Sequence, residues 1–290
     1  MSTPQPAPLA NVDGVIMPLA EVRISPMDRG FLFGDAVYEV LSVLRGRPWL
    51  ADQHFARLAR SLNEVNIRGV DVERLRRRMT ETVCTGGFAD ALVYIQVTRG
   101  AAPLRGHVFP ADVPPLEFLY AQAFTDPYGT ARRDGVGVIT RPDERWGRCD
   151  IKSTNLLANV LAKQAAKEAD CYEAILYLPD GRVTEGTHSS LFGVLDDRLV
   201  TAPNGPDILP GVTRQFILGL ADLLCVPVDE RYLTRAELGR VSELFLSGTT
   251  SEVLPVVRVD GRAVGGGTPG PVTRRLQAAY QAEVERFLAG

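Results

Sequence analysis

Cysteine and histidine are scarce in this chain, with four cysteines and three histidines among 290 residues. The cysteines are widely spaced and form no Cys-x-x-Cys pair, which argues against a zinc or other metal site and against a disulfide framework. We expect buried thiols in a reducing compartment. The N-terminus lacks the basic and apolar regions of a signal peptide, and no apolar run approaches membrane-spanning length. The sequence therefore predicts a cytoplasmic protein.

An excess of charge is also lacking, because 32 basic and 35 acidic side chains leave a net charge of −3. This balance argues against nucleic acid or an anionic membrane as the main partner. The one basic run, residues 74–78, follows acidic residues and is typical of a solvated helix face. There is no internal repeat and no Gly-x-Gly-x-x-Gly nucleotide fingerprint.

The length predicts two domains, each with enough material for a core. We expect an α+β protein with a disordered, Pro-rich tail at residues 1–10, a small α+β domain at 11–124 and an interdomain linker at 125–134. A large α/β domain at 135–290 would then carry Lys152. Local patterns predict a strand at 20–24, a tight aromatic loop from 27 leading into a strand, and a helix from Asp52 with Arg57 at its surface edge.

The most informative stretch surrounds Lys152. A short segment ends in this lysine, three small polar residues follow, and a helix with apolar residues at 156, 157, 160 and 161 begins at once. A lysine at such a junction can point into a cleft, and a desolvated lysine has the lowered pKa that Schiff-base chemistry needs. The alternative is a solvated surface lysine, which is the more common case.

Four other features bear on function. Glu185 opens a loop of small residues, although a lone glutamate there is usually solvated. Residues 211–213 form a glycine-led helix start, and residues 247–252 are rich in small hydroxyl side chains, and both patterns suit phosphate. Arg105-x-His107 lies in a Pro- and Gly-rich loop and could clamp a carboxylate, or could be idle surface.

Together, one lysine, one acid and two phosphate-type loops without a nucleotide fingerprint suggest a phosphorylated cofactor held covalently. Pyridoxal phosphate fits these parts. A lysine forms the imine, anion donors hold the phosphate, and a carboxylate keeps the pyridine nitrogen protonated.

The chain also resembles a known family. Over residues 11–288 it is similar to the fold-type IV pyridoxal-phosphate aminotransferases, through four ordered motifs: Asp28-Arg29-Gly30-x-x-Phe33-Gly34-Asp35, Asp150-Ile151-Lys152-Ser153-x-Asn155, Thr184-Glu185-Gly186 and Ser247-x-Thr249-Thr250-Ser251-Glu252. Within that superfamily it looks most like the D-amino-acid aminotransferases, because it carries Arg105-x-His107 and Trp146-x-Arg148-Cys149-Asp150-Ile151-Lys152-Ser153.

The resemblance implies a two-domain fold with the cofactor at the domain interface, a homodimer, and a ping-pong exchange between D-amino acids and 2-oxo acids. It implies that Lys152 forms the Schiff base and that Glu185 pairs with the pyridine nitrogen. The remaining cofactor-binding residues would be Arg57, Ser189, Leu209, Val212, Thr213, Gly248 and Thr249. Arg105 and His107, reaching from the neighbouring subunit, would hold the substrate α-carboxylate, with Phe31 and Thr250 also at the substrate.

Three departures bear on specificity. Phe31 stands where that branch commonly has a tyrosine in the carboxylate trap, Leu104 looks like an insertion before Arg105, and Gly248 replaces a serine. The alternatives are therefore (R)-amine transamination, branched-chain L-amino-acid transamination and aminodeoxychorismate lyase activity. A hypothesis of another class is a non-enzymatic pyridoxal-phosphate carrier or an interaction protein.

Overall fold

The computed structural model describes residues 6–290, and its contacts divide the chain into two compact units. The first unit runs to Thr125 and includes Ile151–Asn155, and the second comprises Asp126–Asp150 and Leu156–Gly290. Both combine helices with sheets, as the α+β prediction requires. No helix within residues 6–290 has the length and apolarity needed to cross a bilayer.

The first unit is built on a six-stranded antiparallel sheet of order β2-β1-β6-β5-β3-β4. Its elements in chain order are β1 (Leu9–Val12), β2 (Val15–Pro18), α1 (Arg29–Phe33), β3 (Ala36–Leu44), β4 (Arg47–Pro48), α2 (Ala51–Glu64), α3 (Val72–Gly86), β5 (Ala91–Thr98) and β6 (Leu116–Ala123). Strand alternation sends Val37, Leu41, Val93 and Ile95 to one face, where they form a core with apolar residues of α2 and α3.

The second unit is built on a ten-stranded mixed sheet of order β12-β11-β10-β14-β15-β7-β8-β9-β13, with β16 beside β15. Its elements are α4 (Gly129–Asp134), β7 (Val136–Pro142), α5 (Leu157–Glu168), β8 (Glu173–Tyr177), β9 (Arg182–Gly186), β10 (Ser190–Leu195), β11 (Arg198–Thr201), α6 (Val212–Leu223), β12 (Val228–Glu230), β13 (Leu233–Thr234), β14 (Glu243–Gly248), β15 (Glu252–Val259), β16 (Arg262–Ala263) and α7 (Pro271–Ala289). The central strands β10 and β14 are buried over most of their length, so they read as continuous apolar runs rather than alternating patterns.

Some local predictions differ from the structure. The strand predicted at 20–24 is wrong, since residues Leu19–Glu21 form one turn of 3-10 helix that is bounded by Pro18. The aromatic loop from residue 27 is the short helix α1, because the Asp28 carboxylate accepts from the Gly30 amide as an N-cap. The left-handed Gly34, with φ of 65°, ends this helix.

The predicted domain boundaries also differ from the structure in detail. Residues 1–5 of the predicted tail lie outside the described residues, but Leu9 and Ala10 belong to β1, and residues 129–134 of the predicted linker form α4. Lys152, predicted in the large domain, makes its contacts in the first unit.

Candidate active site

Lys152 belongs to the first unit because its backbone adds to the free edge of β3. The Tyr38 amide donates to the Lys152 carbonyl at 2.9 Å, and the Thr154 amide donates to the Ala36 carbonyl at 3.1 Å. That edge is available because β4 pairs only with Val43 and Leu44, at the far end of β3. The polar residues after Lys152 therefore complete a sheet edge before α5 begins.

The side chain of Lys152 lies against an aromatic row. Its Nζ is 4.2 Å from the ring centroid of Tyr38, which stacks on Tyr94 at 5.6 Å, and Tyr94 stacks on Tyr120 at 5.4 Å. Burial raises the pKa of the Tyr94 hydroxyl, so this row is uncharged at neutral pH. Tyr38 was not among the predicted site residues, although strand alternation after the buried Val37 already directs it away from the core.

Phe31, the aromatic that was predicted at the substrate, is 75% exposed on α1. Tyr38 is thus the aromatic that the first unit places beside Lys152. Phe31 contributes no ring contact to this row.

Arg57 is buried, so the prediction of a surface position at the edge of α2 is wrong. Its Nε and Nη2 donate to the Glu39 carboxylate at 2.7 and 2.9 Å, and His54 Nδ1 lies 2.7 Å from the same carboxylate. Burial alone would raise the pKa of Glu39, but the Arg57 guanidinium and the hydrogen bonds to it hold that pKa at about 2. Burial lowers the pKa of His54. Glu39 therefore fixes the guanidinium of Arg57 in one orientation.

Glu185, near the end of β9, is buried rather than solvated. Its Oε1 accepts from Arg145 Nη1 at 2.5 Å and from the Leu209 amide at 3.0 Å, while no described residue donates to Oε2. Burial raises the pKa of Glu185 against the opposing effect of Arg145. Arg145 is oriented in turn by two hydrogen bonds to Asp143, of 2.9 and 2.8 Å. The sequence reasoning did not find Arg145 or Asp143.

The two phosphate-type loops meet within the second unit. The helix α6 begins at Val212 after Gly211, which has no side chain to accept from the first-turn amides, and Thr213 is buried. A Cβ on Gly211 would lie 2.7 Å from Ser190 Oγ, and Ser190 is the cross-strand partner of Ser247. The start of α6 and the end of β14, followed by Gly248 and Thr249, are thereby brought together.

This junction also holds a buried hydroxyl without a partner. Ser247 Oγ makes no hydrogen bond to any described residue, although Ser247 is 2% exposed. Buried polar groups normally have partners, so a free hydroxyl beside helix-start amides fits an anionic group. The donor set suits a phosphate monoester.

Ser189 is tied to a second buried carboxylate. Glu173 in β8 is fully buried and accepts from Thr187 Oγ1 at 2.6 Å and Ser189 Oγ at 3.2 Å, and His188 Nδ1 lies 2.7 Å from it. Burial opposes ionisation, but His188 and the hydroxyls hold the pKa of Glu173 at about 2. Glu173 was not predicted from the sequence, because a single glutamate in a strand carries no signal of its own.

Arg105 and His107 lie together on the loop that joins β5 to β6. The guanidinium carbon of Arg105 is 4.8 Å from the ring centroid of Phe33, and the His107 ring is 5.3 Å from the same centroid. Leu104, the residue that looked like an insertion, is 83% exposed. Leu209 contributes its amide to Glu185, and the Thr250 carbonyl accepts from Arg132.

Comparison with known proteins places most of the chain in one context. The family model described as amino-transferase class IV matches residues 36–259. The chain is 40% identical over 273 residues to a D-alanine aminotransferase of Bacillus licheniformis, covering 93% of this chain and 94% of the relative. It is 37% identical to a D-alanine aminotransferase of Staphylococcus haemolyticus, covering 94% of this chain and 97% of the relative.

A solved structure with a similar fold is another amino-acid aminotransferase. This branched-chain amino acid aminotransferase of Escherichia coli gives a TM-score of 0.88 at 25% identity, covering 95% of this chain and 94% of that one. A second branched-chain amino acid aminotransferase, from the source abbreviated T.th. and solved with pyridoxamine 5'-phosphate, gives 0.87 at 26% identity and covers 96% and 93%.

Proposed function

We propose that this chain, which belongs to the class IV aminotransferase family, is a pyridoxal-phosphate-dependent transaminase that exchanges amino groups between D-amino acids and 2-oxo acids. The observation that carries the proposal is the buried Glu185–Arg145 pair with an unpartnered Oε2. A carboxylate in that setting is suited to a pyridinium N–H, which is the one cationic donor of this cofactor.

The residues that would hold the cofactor are divided between the two units. Lys152 would bind it covalently through Nζ, and Glu185 would accept from its ring nitrogen. The phosphate would be held by Arg57, by the amides of Val212 and Thr213 with the Thr213 hydroxyl, and by Gly248 and Thr249, with Ser189 and Leu209 as further contacts. When bound, pyridoxal phosphate supplies an electron sink for charge that develops at the substrate α-carbon.

The chain's own groups would then carry out the proton movements. Lys152 Nζ would accept the α-proton of the substrate and return a proton during the exchange, because an amine next to the reacting carbon can act as both base and acid. Tyr38, whose ring packs on Lys152, would limit the directions in which that amine can point. Glu185, held by Arg145, would keep a proton on the ring nitrogen.

The preference for D-amino acids is supported by two observations. The relatives at 40% and 37% identity are named D-alanine aminotransferases, and Arg105-x-His107 supplies a cation and an imidazole on one loop. A guanidinium binds a carboxylate with two parallel hydrogen bonds and so fixes its orientation. An oriented α-carboxylate decides which face of the α-carbon meets Lys152.

We also propose a homodimer in which Arg105 and His107 act on the substrate of the partner subunit. Support comes from α5, on which Leu157, Val160 and Leu161 are 73%, 58% and 61% exposed. Apolar side chains clustered on one helix face are typical of an association surface. The cytoplasmic location stays a prediction from composition.

The proposal is tested by half-reactions of the purified yellow protein. Borohydride treatment followed by peptide mass analysis should place the cofactor mass on the peptide containing Lys152. Separate additions of D-alanine, L-leucine and (R)-1-phenylethylamine should bleach the yellow absorption fastest with D-alanine. Fast bleaching by L-leucine and none by D-alanine would instead favour the branched-chain activity, and a colourless protein that takes up no pyridoxal phosphate would contradict both.

A further inference from the structure

The loop that carries Arg105 and His107 is held by a buried arginine of α1. Arg29 donates from Nη1 to the Gly106 carbonyl at 2.5 Å and from Nη2 to the His107 carbonyl at 3.2 Å, and the Val108 carbonyl lies 3.4 Å from Nη1. One guanidinium thus engages three successive backbone carbonyls of residues 106–108. These carbonyls lie next to the two side chains proposed to hold the substrate carboxylate.

Arg29 is itself fixed independently of that loop. It is 4% exposed, and its Nε donates to Asp35 Oδ2 at 2.8 Å. Its backbone amide donates to the Gly100 carbonyl at 3.0 Å, at the end of β5. Asp28, which caps α1, also accepts from Thr98 Oγ1 at 2.7 Å. The guanidinium therefore projects from a helix that is hydrogen-bonded to the sheet.

Phe33, one turn along α1, forms the floor beneath the same loop. Its ring centroid is 4.9 Å from the Arg29 guanidinium carbon and 4.8 Å from that of Arg105, and the His107 ring lies 5.3 Å away. Cations within about 6 Å of an aromatic centroid are attracted to its face. The side chains of Arg105 and His107 are consequently placed by Phe33, while their backbone is placed by Arg29.

We propose that Arg29 is a positioning residue for substrate-carboxylate recognition. It would not touch the substrate, and it would act by holding the loop of residues 103–110 so that Arg105 and His107 keep one arrangement. This inference rests on the proposed function for its choice of ligand. It follows physically from the exposure of the loop, in which Leu104 is 83% and Val108 87% exposed, so that few apolar contacts of its own order it.

The test uses Arg29→Lys in the holoenzyme. Lysine keeps the positive charge beside Asp35, so the unit should fold, but its single ammonium cannot reach the carbonyls that a planar guanidinium spans. Arg78→Lys is the matched control, because Arg78 is also a largely buried arginine of the first unit that pairs with Glu117 and donates to the Asp13 carbonyl. The readouts are hydrogen exchange of residues 103–110 and steady-state kinetics.

We expect Arg29→Lys to speed exchange of residues 103–110 and to leave α2 and α3 unchanged. The KM values for D-alanine and for pyruvate should rise about tenfold, the loss expected for a charge-assisted hydrogen bond, with kcat unchanged. The KM for (R)-1-phenylethylamine, which has no carboxylate, should not move. In Arg105→Ala, adding Arg29→Lys should raise the KM for D-alanine no further, and Arg78→Lys should change none of these quantities.

Each other outcome decides against the inference. Unchanged exchange in residues 103–110 would show that Arg29 does not anchor the loop, whatever the substrate is. Faster exchange with unaltered KM values for carboxylate substrates would show that the anchor has no role in recognition. An equal loss with (R)-1-phenylethylamine would mean a general structural role. A wild-type enzyme inactive on D-alanine would refute the proposed function, and the exchange measurement would still judge the anchor.

Discussion

The guanidinium of Arg145 lies 2.5 Å from the carboxylate of Glu185, and both side chains are buried. Two of the groups that set the charge of Glu185 therefore come from separate parts of the sequence, since Asp143 orients Arg145 while the Leu209 amide donates to Glu185. Burial favours the neutral acid and Arg145 favours the carboxylate, and burial has the larger effect on the pKa.

Arg145→Met should weaken both folding and cofactor binding. Removing one partner of a buried ion pair costs about 3–5 kcal/mol of unfolding free energy. Without Arg145 the pKa of Glu185 rises further, so ionising this group penalises the folded state more as the pH increases. The stability deficit relative to wild type should therefore grow from about pH 5 to pH 8.

Urea unfolding of the cofactor-free protein at several pH values would measure this deficit, and equilibrium dialysis would give the affinity for pyridoxal phosphate. Arg182→Met removes a half-exposed arginine that pairs with Asp180 and serves as the control. A deficit that is equal at pH 5 and pH 8 would show that Arg145 does not act through the charge of Glu185.

Acid should unfold the protein partly through Glu39 and Glu173. Both have a pKa lowered from 4.5 to about 2, so each stabilises the fold above pH 4.5 and loses that contribution as the pH falls toward 2. A shift of this size corresponds to roughly 3 kcal/mol for each group. The slope of unfolding free energy against pH should be shallower in Glu39→Gln, whereas Asp134→Asn, at an exposed carboxylate, should keep the wild-type slope.

Lys152→Ala should abolish transamination while leaving the fold intact. Loss of the proton-transferring amine alone lowers turnover by about 10²–10⁴-fold, and covalent attachment of the cofactor is lost as well. The backbone carbonyl of Lys152 still accepts from Tyr38, so the melting temperature of the cofactor-free protein should not change. Lys167→Ala, at an exposed position of α5, should retain full turnover. Substantial activity in Lys152→Ala would refute its assignment.

Leu161→Asp should disrupt the proposed dimer. This residue is 61% exposed beside Leu157 and Val160, and a carboxylate buried at an apolar interface is strongly disfavoured. Sedimentation velocity should show a shift toward monomer, with loss of D-alanine turnover if Arg105 and His107 act across subunits. Leu223→Asp changes a leucine of α6 that is 68% exposed and should stay dimeric.

Much of this protein could be predicted from its residues. The family resemblance was confirmed, as was the α+β class, because ordered motifs and turn residues are local signals that need no tertiary information. The predicted strand at 116–122 and closing helix at 271–288 also lie close to β6 and α7. The strand at 20–24 failed since a short alternating pattern does not show which flanking segments will cover it.

What the sequence by itself determined is the set of chemical groups: a lysine before a helix, an acid after a strand and glycine-led anion loops. Only the tertiary structure decided their surroundings. Burial made an ion-paired group of Arg57, turned Glu185 into an acid paired with Arg145, and placed Tyr38 rather than Phe31 on Lys152. The physical reason is that charge state and orientation depend on neighbours distant in the chain, such as Arg29 and residues 106–108, whose proximity no local pattern encodes.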